Sequence, residues 1–423
     1  MWTLFQINLI SCKGAKETQV NTYQNDFTAS TSSVSQSRRL WTAIILGALS
    51  AFGPLSIDMY LPSLPILTKD LHTSTSLAQF SLTACLLGLS VGQLVAGSQS
   101  DIRGRRIPLL IGLVSYTISS LLCALSPSIW GLILLRFIQG FAGSAGIAIS
   151  RAVVRDLYSG SEMMKFFSLL MLINGVGPIF APIIGGQLLQ FTSWRGVFLV
   201  LSLVGIAMLV TVFFGLPETL PLRRRSQAGL MNTLTTFRVL ICDRVFMSYA
   251  LPQGLVMAAM FAYISGSPFV IQNIFGASPQ MFSVFFAING IGIIIAGQIT
   301  GRLASRINGT KLFLSGLILA SMGGIVLLIM ILIGAGLTAI LLPLFVLVSS
   351  VGIVSTAGSS LAMENYGHSA GSASALLGLF SFVIGAIVAP LVGLGGGNTA
   401  LPMGIVISVT EVGAILSYAL LKR

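Results

Sequence analysis

Charge is scarce in this sequence. Charged residues make up 8% of its 423 positions while hydrophobic residues make up 55%, where a soluble globular chain carries about 25% charged. Residues 245–301 and 312–363 contain no Lys, Arg, Asp or Glu, and each stretch is long enough for two membrane spans of about 20 residues. A water-soluble domain is therefore excluded. Histidine is also nearly absent: His72 and His368 are too few and too far apart to build a metal site. The four cysteines, Cys12, Cys85, Cys123 and Cys242, form no CxxC pair, which argues against a zinc site or a disulfide framework. No G-x-x-x-x-G-K-[ST] occurs, so ATP hydrolysis is not indicated. Neither an H-x-x-x-H arrangement nor paired carboxylates on one helix is present, so an intramembrane enzyme is disfavoured and no metal or cofactor is expected.

Positive charge is present, and its distribution is informative. The formal net charge is +12, but the basic residues fall in short clusters between apolar runs rather than in one patch, which excludes a nucleic-acid surface. Glycine, at 46 residues, suits closely packed transmembrane helices.

Residues 1–40 are polar at most positions and read as a disordered cytoplasmic tail, without the order of basic and apolar regions that marks a signal peptide. The apolar runs that follow predict an all-α membrane protein of twelve spans, near 41–66, 75–99, 107–126, 128–151, 163–190, 193–215, 246–271, 279–302, 311–333, 338–361, 369–394 and 399–421. The hydrophilic segment 217–245, with Arg223, Arg224, Arg225 and Arg238, separates two stretches of equal length. That equality predicts two pseudo-symmetric six-helix bundles, 41–216 and 246–423, joined by a cytoplasmic linker.

If both termini are cytoplasmic, nearly all of the 23 Lys and Arg residues face inward, with only Lys69 and Arg195 outside and Arg136 inside a span. The positive-inside rule then places the chain in a cell inner membrane with both ends inside. Glu364, Gly367 and His368 fall in an inward loop.

Three ionisable residues lie within expected spans: Asp58, Arg136 and Glu411. An ionised side chain at mid-bilayer costs on the order of 2.5 to 3.5 kcal/mol, so each needs a reason to be there. Asp58 lies about 26 Å above Trp41 and Arg136 about 22 Å above Arg151, at about 1.5 Å per residue. A carboxylate facing an arginine at that depth can exchange a proton as the arginine or a cationic substrate comes and goes. A structural reading stays open for all three: Asp58 as a helix-end residue before Pro62, Arg136 as a tie to backbone carbonyls, Glu411 turned toward water. Met59, Tyr60, Met257, Met260, Phe261, Tyr263 and Glu411 are candidates for a substrate cavity, although such residues are more often core or lipid-facing.

After the second span the sequence reads Gly97-Ser-Gln-Ser-Asp101-Ile-Arg103-Gly104-Arg105-Arg106-Ile-Pro-Leu109. It resembles the G-x-x-x-D-R-x-G-R-R-x-x-L signature of the major facilitator superfamily, with Ile102 where that pattern has Arg. Arg136-Phe-Ile-Gln139-Gly140 looks like the family's R-x-x-Q-G element. Gly177-Pro178-Ile-Phe-Ala181-Pro182-Ile-Ile-Gly185-Gly186 is similar to its antiporter motif, and Asp58-Met59-Tyr60-Leu61-Pro62-Ser-Leu-Pro65 looks like the first span of the bicyclomycin-resistance (Bcr/CflA) efflux subfamily. The resemblance implies a multidrug efflux transporter exchanging drug for proton, with no cofactor. It implies proton coupling by Asp58 and Arg136, a cytoplasmic latch of Asp101, Gly104, Arg105 and Arg106, and a fifth-helix hinge of Gly177, Pro178, Pro182, Gly185 and Gly186. Its partners would be a small-molecule substrate, protons and the lipid bilayer, with the chain acting as a monomer. A proton-coupled symporter or uniporter for a nutrient remains the alternative within the same fold.

Overall fold

The computed structural model describes residues 36–158, 160–225, 237–364 and 370–422. All regular elements among these residues are helical. The expected tail up to 35, the central part of the hydrophilic linker (226–236), Gly367 and His368 lie outside the described residues. The chain divides into two compact units, Met1–Ile44 and Ile45–Arg423. In the first, residues 36–44 are helical, so the expected tail boundary at 40 falls inside a helix. The second unit contains all the remaining helices.

The first span is a broken rod: α1 (Gln36–Ser50), α2 (Phe52–Asp58), a 3-10 turn (Leu61–Ser63) and α3 (Leu64–Asp70). Pro54, Pro62 and Pro65 supply no backbone N–H, which makes the interruptions cheap. Ser63 Oγ donates to the Tyr60 carbonyl at 2.6 Å and closes the turn. The rest of the first set is α4 (Thr75–Arg103), α5 (Arg106–Leu125), α6 (Ile129–Leu157), α7 (Gly160–Leu188) and α8 (Trp194–Gly215). The second set comprises α9 (Arg244–Phe269), α10 (Pro279–Leu303), α11 (Gly309–Leu332), α12 (Leu337–Met363), α13 (Ala370–Val388) and α14 (Leu401–Leu421). Eleven helices among the described residues are long and apolar enough to cross a membrane, and Gly175–Leu188 is a shorter apolar helix within α7. The order matches the twelve spans read from the sequence.

Helix starts follow local chemistry. Ser74, Ser128 and Ser278 cap α4, α6 and α10, their hydroxyls accepting from the N–H groups of Leu77, Gly131 and Met281. Asp243 and Asn308 do the same for α9 and α11. Each cap falls where an apolar run begins, so the span boundaries are written in the sequence.

Candidate functional site

Asp58 ends α2 at the break in the first span and is 5% exposed. Among the described residues its carboxyl makes no hydrogen bond or ion pair. On α9 of the second set, the Tyr263 hydroxyl accepts a hydrogen bond from Asn289 Nδ2 of α10 at 2.8 Å, and its ring stacks on Phe286.

Arg136 does not join Asp58. The guanidinium, 0% exposed, donates from Nη1 to Gln139 Oε1 at 2.5 Å and stacks on the rings of Tyr60 and Phe198 at 4.9 and 5.6 Å. Gln139 in turn donates to Ser120 Oγ of α5 at 2.7 Å. The expected carboxylate–arginine pair is therefore absent in this conformation, and Arg136 belongs to the interior of the first set. The reason is local. Gln139 lies one turn along α6 and accepts from Nη1, and the rings of Tyr60 and Phe198 cover the guanidinium.

The cavity candidates separate. Tyr60 is packed inside the first set, its hydroxyl hydrogen-bonded with that of Ser81 at 3.0 Å. Met59 is buried with it. Phe261 packs on Phe382 of α13, Met257 and Met260 are half-buried beside the same core, and Glu411 is fully buried within the second set. Tyr263 is buried in the second set, hydrogen-bonded to Asn289 of α10.

The loop after α4 closes on itself. Arg105, 3% exposed, donates to Asp101 at 2.5 Å and from Nε to Asp156 at the end of α6 at 2.7 Å. Glu218, just beyond α8, accepts from the backbone N–H groups of Arg105 and Arg106 at 2.9 and 3.2 Å and from Leu220 N–H at 2.9 Å. Arg106 donates to the Phe213 carbonyl and stacks on its ring. Burial works against the charge on Arg105, but the carboxylates of Asp156 and Asp101 more than compensate and hold it above its ordinary value. Gly104 has φ +92°, and a Cβ there would run into Glu218 and Arg225, so no other residue type fits this turn. Among the described residues these contacts stay within the first set. The expected latch residues are thus joined to one another, and Asp156 and Glu218 are the partners that the sequence reading missed. An acid within the basic run at 151–156 and another directly after Pro217 are the signals that point to them.

The fifth-helix motif lies between the first span of its own set and α10 of the other. Gly177 lies against Pro54, and Gly185 meets the backbone carbonyl of Met59. Pro178 and Pro182 interrupt the hydrogen-bond ladder inside α7. Ser283 Oγ of α10 donates to the Pro182 carbonyl at 2.7 Å and Gln280 Nε2 to the Gly186 carbonyl at 2.8 Å. Three more hydrogen bonds join the sets: Gln79 to the Ser265 carbonyl, Gln272 to the Pro62 carbonyl and Ser76 to the Pro390 carbonyl. All five lie at the helix ends remote from the Arg105 cluster.

Comparison with known proteins gives a consistent result. A family model described as Major Facilitator Superfamily matches residues 43–390. The chain is 47% identical to an uncharacterized MFS-type transporter, YdgK, of Bacillus subtilis, over 91% of this chain and 96% of that one. It is 30% identical to a bicyclomycin resistance protein homolog of Haemophilus influenzae, over 89% and 94%. Among solved structures, an inward-facing, unoccupied bacterial homolog of the human lysosomal transporter Spinster superposes with a TM-score of 0.75 at 16% identity, covering 92% of this chain and 98% of that one.

Proposed function

The chain belongs to the major facilitator superfamily, a family of transporters rather than enzymes, and from that premise we propose that it is a proton-coupled antiporter exporting lipophilic compounds, cationic ones included, by alternating access. The drug-resistance name of the Haemophilus relative supports the substrate class. One observation carries the coupling: Asp58 is a buried carboxyl at the break in the first span, with no cation paired with it among the described residues. Whether such a group is ionised depends on what enters the space before it, so a cationic substrate and a proton compete for it.

On this reading the helix sets 41–216 and 246–423 rock against each other in a cell inner membrane, with both termini cytoplasmic. The seam of Gln79, Gln272 and Gln280 then lies at the outer face, and the conformation is closed to the outside. One proton moving down 100 mV releases about 2.3 kcal/mol and each pH unit adds about 1.4 kcal/mol. Together these support an outward concentration ratio on the order of 100 to 1000.

The test is ethidium transport in everted vesicles from an efflux-deficient strain. Dye should accumulate in the vesicles when a proton gradient is imposed, collapse with an uncoupler, and be lost in Asp58→Asn at unchanged expression. Full uncoupler-sensitive transport by that variant would remove Asp58 from the mechanism. Flux of solute in the direction of the proton would convert the reading to symport.

A further inference from the structure

The end of the first set that carries the Arg105 cluster shows large apolar side chains beside arginines that have no acid. The 22 residues of α8 make a rod of about 33 Å at about 1.5 Å per residue, which matches a hydrocarbon core of about 30 Å. Phe213 and Phe214 in its last turn therefore reach the edge of that core. Phe214 is 82% exposed and meets Phe213 edge-on, with ring centroids 5.1 Å apart. Beyond the helix, the 3-10 turn Leu222–Arg224 presents Leu222, 78% exposed, with Arg223 exposed next to it.

Looseness does not account for this exposure, because the segment is pinned down. Leu216 and Leu220 are buried, and Thr219 Oγ1 donates to Asp156 Oδ2 at 3.3 Å. Arg225 lies 4.0 Å from Glu218, which also accepts from the Leu220 N–H. Gly104 packs so closely here that an added Cβ would lie 2.6 Å from Arg225 Nη2. Leu222 thus stands out from a segment whose neighbours on both sides are fixed to the loop after α4.

Charge is sorted in the same place. Asp101 and Asp156 are taken by Arg105, and Glu218 by backbone N–H groups and Arg225. Arg103, exposed at the end of α4, and Arg223 form no ion pair among the described residues. In the chain they stand one residue from Gly104 and two from Arg225, on either side of that contact. Arg106 adds a third guanidinium, stacked on Phe213 at 5.5 Å. A guanidinium fork fits the phosphate oxygens of a lipid headgroup, and apolar side chains fixed at the edge of the core fit its acyl chains. A zwitterionic headgroup brings its own cation and gains less from such a surface.

We propose that this surface binds anionic phospholipid, with Arg103 and Arg223 holding phosphate and Leu222 and Phe214 contacting acyl chains. The apolar side chains fixed beside the charge commit it to a lipid rather than to a soluble anion. The proposal depends neither on the transport reading nor on which face of the membrane this end occupies.

The experiment is native mass spectrometry of the full chain in detergent supplied with equal amounts of phosphatidylglycerol and phosphatidylcholine. Wild type should retain phosphatidylglycerol in preference. Arg103→Gln/Arg223→Gln should weaken that retention by about tenfold or more and leave phosphatidylcholine unchanged. Both side chains are exposed, so the melting temperature of the variant in lipid-free detergent should equal that of wild type. A second measurement needs neither substitution. A nitroxide on Leu222→Cys, with Cys12 and Cys242 replaced by serine, should be reached by oxygen and shielded from a water-soluble nickel complex in nanodiscs containing phosphatidylglycerol. Equal retention by the double variant, or a label open to water and so free for another occupant, would overturn the proposal. Displacement of phosphatidylglycerol by equal glycerol phosphate, a headgroup without chains, would do so as well, by showing a simple anion site.

Discussion

At the scale of single residues, the charged groups at the loop after α4 do different work from those inside the spans. Glu218 sits below its ordinary carboxyl value: burial pushes it up, but three backbone N–H donors and the charge of Arg225 outweigh that. A carboxyl held below its unfolded value stabilises the fold above that value, about 4.3, and loses the contribution as pH falls through the folded one. Glu218→Gln should therefore destabilise the fold at neutral pH by up to about 1 kcal/mol for a partly exposed group, read as a lower melting temperature in detergent. The difference from wild type should close below about pH 4, and a difference that grew on acidification would contradict the assignment. Asp101, Gly104, Arg105 and Arg106 were legible as a unit because all four fall at one helix junction, close together in the sequence. Asp156 and Glu218 reach that loop only through the packing of α6 and α8, which no local pattern records. The same limit applies to Asp58 and Arg136: similar depth could be counted from helix rise, but rotation about the helix axes decided that they do not pair.

At the scale of elements, the twelve apolar runs and their Ser, Asp and Asn caps were readable because span length and capping are local properties. The break in the first span was foreshadowed by Pro54, Pro62 and Pro65, and the missing ladder donors inside α7 by Pro178 and Pro182. What α7 packs on was not. Gly185 meets the Met59 carbonyl, so the first span and α7 touch through backbone at this point. Gly185→Leu should separate the two and cost about 1 to 3 kcal/mol. The measurement is thermal unfolding in detergent alongside dye efflux, and a variant with unchanged stability would show that the two helices tolerate separation.

At the scale of the whole molecule, five hydrogen bonds between the two sets gather at one end, and among the described residues the charged cluster at the other end closes within the first set. If alternating access opens that seam, the Gly186→Cys/Gln280→Cys disulfide should abolish efflux of the dye and reductant should restore it. Undiminished transport by the fully oxidised protein would place the moving interface elsewhere.

The amino-acid sequence alone predicted a membrane protein with twelve apolar runs and the approximate position of each, because hydrophobic run length and charge clusters act over a few residues; it did not predict that the first helix begins at Gln36. It also carried the family motifs that point to transport. Only the tertiary structure decided which buried charges meet. It sent Arg136 to Gln139 and two aromatic rings, buried Asp58 away from any cation among the described residues, and enclosed Glu411 with no hydrogen-bond partner for its carboxyl oxygens among the described residues. The physical reason is that the face a side chain presents depends on helix rotation and on a partner far away in the chain, and neither is encoded in a single span.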